Sequence, residues 1–292
     1  MDVATLVTWI GPCAAVTVFA VMLSLGLLLE RSQIVSALQR RTVLAAVLFA
    51  VVVPVPILAV VVVKLFGLRG AVAAGIILMA ISPGAPVALR RAIQAGGGHQ
   101  FAPTLHLAIV MLAVVTVPVS VMVMAWIFSV RYAISPFDVA RQVFFAQLLP
   151  LCVGAALRAW RPVMATWLEP RFARVTNLML LALIVLCLIA LGPRLVAIGW
   201  TPFAAGVGLT LCALFAGTMF AGRDASVRPP AAVAAAMRNP GLALLIAARN
   251  AAPADVTAVV FGYALGLAAV IFAFLAWRKW SNRVTTQKLS ST

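Results

Sequence analysis

One cation sits where a charge is expensive. In the run Ala234-Ala235-Ala236-Met237-Arg238-Asn239-Pro240-Gly241-Leu242-Ala243, Arg238 is the single charge of an apolar segment bounded by Arg228 and Arg249. It lies about ten residues from each boundary, so in a helix rising ~1.5 Å per residue it is ~15 Å from either end. That is the midplane of a ~30 Å hydrocarbon core. A guanidinium at that depth costs from a few to more than ten kcal/mol, roughly. Pro240-Gly241 breaks the helix at the same level, freeing backbone amides and carbonyls. A fixed cation that can hold an anion bidentately, an amide side chain and unwound backbone together read as a binding or translocation site. The plainer reading is that Arg238 only satisfies the freed carbonyls.

A second stretch repeats the pattern. Ile81-Ser82-Pro83-Gly84-Ala85-Pro86-Val87-Ala88-Leu89 also places a polar residue, Pro and Gly in mid-span, with Arg90-Arg91 after the apolar run as Arg249 follows the first. Ser82 and Asn239 offer donors and acceptors beside the two breaks. His106 is the other titratable side chain within a span. An unperturbed imidazole titrates near neutral pH, so it could couple transport to protons; a hydrogen-bonded structural or interfacial histidine is the plainer reading. His99 reads as a solvated loop residue.

The elements that must position these residues follow from composition. The chain has 292 residues, 65% of them hydrophobic and 10% charged, with a mean hydropathy of +1.15. A soluble domain is nearer half apolar and a quarter charged, so the chain is an all-α integral membrane protein. The net charge of +16 reads as cationic anchoring of short loops in the lipid bilayer, with no nucleic acid partner. Cys13, Cys152, Cys187 and Cys212 fall in apolar runs without CxxC spacing, so buried small hydrophobes are expected, with no disulfide framework, metal site or cofactor. No basic region precedes the first apolar run, which argues against a cleaved signal peptide.

Nine spans are expected. They are Thr8 to Leu29; Val43 to Phe66, kinked at Pro54 and Pro56; a third ending at Gln94; Phe101 to Val130; Val139 to Leu157; Val175 to Leu191; Thr201 to Phe220; Pro229 to Ala248; and Val256 to Trp277. A short interfacial helix is expected around Trp160 and Trp167, and a polar tail after Trp277. Fifteen of the 22 Lys and Arg fall on one side of this arrangement. Six (Lys64, Arg69, Arg131, Arg141, Arg194 and Arg249) fall on the other, with Arg238 in the membrane. The richer side is cytoplasmic, placing the N-terminus outside and the C-terminus inside. Spans 3 and 8 then cross in opposite directions, as inverted repeats with two discontinuous crossing helices. The whole of residues 1–292 is one transporter domain, 1–130 its first half and 131–292 its second. Paired broken helices in inverted halves point to a secondary transporter's midplane site.

At these residues the chain resembles the bile acid:sodium symporter family and its wider superfamily, over most of its length. Met22-Leu23-Ser24-Leu25-Gly26-Leu27 is similar to the family's early M-x-x-x-G-L segment. Ser82 to Pro86 with Gly96-Gly97-Gly98 resembles its first broken helix and the following turn. Met237 to Ala243 resembles its second, typically M-Q-N-S-G-L-A. The resemblance implies panel and core domains, with the broken helices crossing in the core. It implies a substrate site at Ser82, Pro83, Gly84, Pro86, Arg238, Asn239, Pro240 and Gly241, and a bacterial inner membrane location.

The departures are as informative. The family's sodium-ligating Glu falls at Ala234, its Gln at Arg238, its Ser-Asn pair at Ala88 and Leu89, a further Ser and Thr near Ala102 and His106, and another Gln near Phe49. Hard cations want oxygen ligands, usually with a carboxylate among them. Classical coupling to two sodium ions is therefore expected to be absent, with Arg238 as a tethered cation in the ion's place. The expected function is alternating-access transport of a small organic anion. The alternatives are a sodium-coupled symporter of the same family, or an efflux permease of the arsenite or auxin-carrier kind. The arsenite branch depends on a reactive Cys in its first broken helix, and the segment around Ser82 has none. An intramembrane enzyme would need an acid/base cluster at depth, and a sensor a soluble output domain; the sequence offers neither.

Overall fold

The structure, a computed structural model, describes residues 3–30, 32, 35, 41–96, 101–128 and 135–290, with side chains described between 5 and 281. Gly97, Gly98, His99 and most of the connector after Glu30 lie outside the described residues. Every regular element among those described is helical: α1 (Val3–Gly26), α2 (Arg41–Val52), α3 (Pro54–Leu65), α4 (Gly70–Ala80), α5 (Ala88–Gln94), α6 (Phe101–Ile127), α7 (Pro136–Val143), a π turn (Phe144–Leu148), α8 (Leu149–Trp160), α9 (Pro162–Ile198), α10 (Thr201–Phe220), α11 (Arg228–Ala236), α12 (Pro240–Arg249) and α13 (Ala254–Ser290). In lipid the backbone must satisfy its own hydrogen bonds, and helices do so within one segment.

Eight helical stretches among the described residues are long and apolar enough to cross a membrane. The expected third span is instead the pair α4 and α5, 11 and 7 residues long, each too short to cross alone. Proline positions explain other divisions. Pro54 cannot continue α2, so the chain turns at Val53 and Pro54 opens α3 at its first helical position. Two expectations are corrected. No separate interfacial helix forms around Trp160 and Trp167: α9 starts at Pro162 and runs unbroken for 37 residues, through Pro170. At ~1.5 Å per residue that is ~55 Å, well beyond a bilayer core. The segment after Trp277 is also helical, as far as Ser290.

Burial separates the centre from the lipid face. The Arg228–Arg249 stretch is 89% buried, against 28–56% for the other seven. Around it, α10 packs on α11 and α13, α4 packs on α13, and α1 packs on α8, α9 and α12. Small residues bring backbones together where lipid gives no hydrophobic drive. A Cβ on Gly26 would strike the carbonyl of Leu151, and one on Gly154 that of Leu23, so α1 and α8 cross backbone to backbone. Outward, Phe19, Met111, Val115 and Phe215 are exposed to the bilayer, while Trp126, Trp160 and Trp200 stand exposed near helix ends, where amphipathic rings prefer to sit. The cysteines correct a further expectation. All four are free, but only Cys187 is fully buried, and Cys152 and Cys212 face outward.

Candidate functional site

Two helix breaks meet at the centre. The first spans Ile81 to Val87, between α4 and α5; the second is Met237 to Asn239, between α11 and α12. They are joined main chain to main chain, the Asn239 N–H donating to the Ser82 carbonyl at 2.8 Å. The Asn239 side chain works in both directions. Its Oδ1 accepts from the Leu242 N–H at 3.0 Å, capping α12, and its Nδ2 donates to the Gly84 carbonyl at 3.2 Å. Pro240 sits at the first helical position of α12, where its missing N–H costs nothing. Gly241 lies under α1, where a Cβ would strike Val18 Cγ2.

Arg238 is 1% exposed. Its Nη1 donates to the Ala80 carbonyl at 3.0 Å, and its Nη2 to the carbonyls of Val51 and Ala235, both at 2.9 Å. Each of those carbonyls lies in the last turn of a helix: α4, α2 and α11 in that order. Helix C-termini carry the negative end of the macrodipole and carbonyls without intrahelical partners, so one guanidinium answers three of them. Its Nε is buried without a partner among the described residues.

Ser82 is fully buried, and its hydroxyl is committed to its own helix, donating to the Leu78 carbonyl at 2.7 Å. Gly84 adopts φ +77°, a left-handed conformation that favours glycine, and Pro83 beside it is buried. Pro86 is half-buried at the start of the turn into α5. His106, on α6, is 3% exposed, and its Nε2 has no partner among the described residues. Ala234, Ala88, Leu89 and Ala102 are all buried and offer no side-chain oxygen. Phe49 points the other way, half exposed and against Phe220 at 5.5 Å between ring centroids.

A cavity of about 610 Å³ opens at the end of the molecule that holds Arg69 and Asn250. It runs between α4, the end of α6 and the end of α12, lined by Ile77, Val121, Phe128 and Ile246, and reaches Ile81 beside Ser82. None of the nine residues read from the sequence lines it. At the opposite end, α5 is tied down by Arg90, whose Nη2 donates to Glu169 at 2.8 Å and to the Ser24 hydroxyl at 3.2 Å.

Two participants escaped the sequence reading. The Val51 carbonyl is 187 residues from the guanidinium it binds, and nothing local marks it. Gln147, fully buried in the π turn with both amide atoms unpartnered among the described residues, did leave a signal: an amide in the middle of an apolar span. A model of the Sodium Bile acid symporter family matches residues 15–198, more than half of the chain, including the first break but not the second. No curated protein matches it.

Proposed function

The chain belongs to the Sodium Bile acid symporter family and is a membrane transporter of that type; from that premise we propose that it moves a small organic anion by alternating access, without classical two-sodium coupling. The observation that carries this reading is the crossing itself. Two broken helices, joined by the hydrogen bond from Asn239 N–H to the Ser82 carbonyl, are locked by one buried guanidinium. In this reading Arg238 supplies permanently the positive charge that a coupling ion would bring. The termini of α5 and α12, the amide of Asn239 and the backbone around Ser82, Pro83, Gly84 and Pro86 form the polar end of the substrate path. The cavity that ends at Ile81 is its approach from one side. Net positive charge at the crossing favours an anionic cargo.

Coupling then runs through protons or exchange, or is absent. His106, buried on α6, is the candidate proton carrier. The test is uptake of a panel of small carboxylates into proteoliposomes, with sodium and pH gradients imposed separately. Uptake that ignores sodium is the expected result. Strong sodium dependence would overturn the tethered-cation reading and favour a sodium-coupled symporter. A pH-driven component that survives in His106→Gln would remove that residue from the mechanism.

A further inference from the structure

The span that carries Gln147 is irregular at the point where it faces the first break. Between α7 and α8 the helix widens into the π turn Phe144–Leu148. Such turns insert one residue into an α-helix and recur at functional sites, because the insertion re-aims the side chains that follow it. Here Phe144 and Phe145 point to the lipid side, while Ala146 and Gln147 are turned inward and buried.

Gln147 ends in a polar group that bonds nothing among the described residues. It is 0% exposed, and neither Oε1 nor Nε2 has a partner among the described residues. Leaving one buried donor or acceptor unmet costs about 1–3 kcal/mol, so a purely structural position would favour leucine. Gln142, five residues earlier at the end of α7, also has a buried Oε1 without a partner among the described residues. The Gln147 amide lies over the first break: a Cβ built on Gly84 would sit 3.5 Å from Oε1. The carbonyl of that same Gly84 accepts from Asn239 Nδ2. Ile109 and Val110 of α6 also lie against Gly84, each with its Cγ2 3.4 Å from the built Cβ. Glycine at 84 is thus favoured by its φ of +77°, since a Cβ there would meet these three side chains only at about van der Waals distance.

We propose that the amide of Gln147, presented by the π turn across from Gly84, is a substrate-binding group that determines specificity. This rests on the transporter reading of the crossing. A primary amide offers a donor and an acceptor side by side. Its complement is a cargo group that accepts and donates in one plane, such as a carboxamide or a hydroxyl next to a carboxylate. Arg238 and the helix ends set the charge of the cargo, and Gln147 reads its neutral polar group. A site built to hydrogen-bond a substrate rejects the analogue lacking that group more strongly than an apolar pocket rejects an extra methylene.

Two readouts test this in the full-length protein in proteoliposomes. The first is independent of the cargo. Gln147→Cys, in a background with Cys13, Cys152, Cys187 and Cys212 replaced, is exposed to a small, charged, water-soluble thiosulfonate; Phe145→Cys, facing lipid, is the inert control. Gln147→Cys should react from at least one side of the membrane, and reactivity as low as that of Phe145→Cys overturns the proposal. The second compares succinamate with butyrate. Wild type should prefer succinamate, and Gln147→Leu should lose at least about tenfold of that preference, while its ligand-free melting temperature is unchanged or raised. A Gln147→Leu protein that melts lower yet keeps the preference shows the amide to be structural. If wild type takes up no carboxylate, the organic-anion reading fails, and the thiol labelling alone decides the placement of Gln147.

Discussion

At the residue scale, the question for Arg238 is whether its positive charge or its reach matters more. Three carbonyls of three different helices depend on its fork. Arg238→Met leaves them unmet and should destabilise the protein by about 3–5 kcal/mol, read as a large fall in melting temperature in detergent. Arg238→Lys keeps the charge but offers a point donor without the planar fork, so it should recover only part of that loss. Arg238→Gln should also weaken binding of the transported anion; lost stability with unchanged affinity would make the residue wholly structural. Asn239 separates its two bonds more cleanly. Asn239→Asp keeps the acceptor that caps α12 and loses the donor to Gly84, whereas Asn239→Ala loses both, for about 2 kcal/mol in total. Thermal unfolding should rank wild type above Asn239→Asp and Asn239→Ala. An aspartate variant as stable as wild type would mean that the bond to Gly84 carries no energy.

At the scale of elements, the breaks are where sequence and structure agree most closely. Pro and Gly in mid-span leave a helix no way to continue, and Ser82 and Asn239 beside them meet the backbone groups set free. The packing of those breaks was not legible. α12 lies so close to α1 that only glycine fits at 241, with Val18 above it. Gly241→Ala should therefore lower stability and transport together, and Val18→Ala in the same chain should restore both, because it removes the obstructing methyls. A double variant no better than Gly241→Ala would place the fault in α12 itself. Two other features stayed hidden for physical reasons. Pro162 and Pro170 look like breaks in sequence, yet one begins α9 and the other is carried within it, so the expected connector is a helix. The π turn contains no Pro or Gly in Phe-Phe-Ala-Gln-Leu, and nothing in its hydropathy distinguishes it from an ordinary turn. The same limit applies to Val51: a carbonyl that accepts from Arg238 has no side-chain signature at all.

At the scale of the whole molecule, the two ends differ. The cavity lies at one end, reaching from Arg69 to Ile81. At the other, Arg90 on α5 bonds Glu169 on α9 and Ser24 on α1, joining the broken-helix region to the pair that packs with α8. A transporter that alternates must open one end while holding the other closed, and this ion pair is placed to hold it. Its side chains are 27% and 20% exposed, so its strength is that of a partly screened pair, about 1 kcal/mol. That is a small fraction of a folding free energy but about a fivefold shift between two conformers close in energy. Glu169→Gln should therefore leave the melting temperature within a few degrees of wild type. It should also raise the reactivity of a thiol placed at Ala92, buried on α5 two residues from Arg90, toward a membrane-impermeant reagent applied at that end. Exchanging the charges, Arg90→Glu with Glu169→Arg, should return reactivity toward wild type because the pair is re-formed. If Glu169→Gln leaves the thiol as protected as before, the end is closed by packing of α5 against α6 and α11 and of α1 against α9, and the ion pair only decorates it.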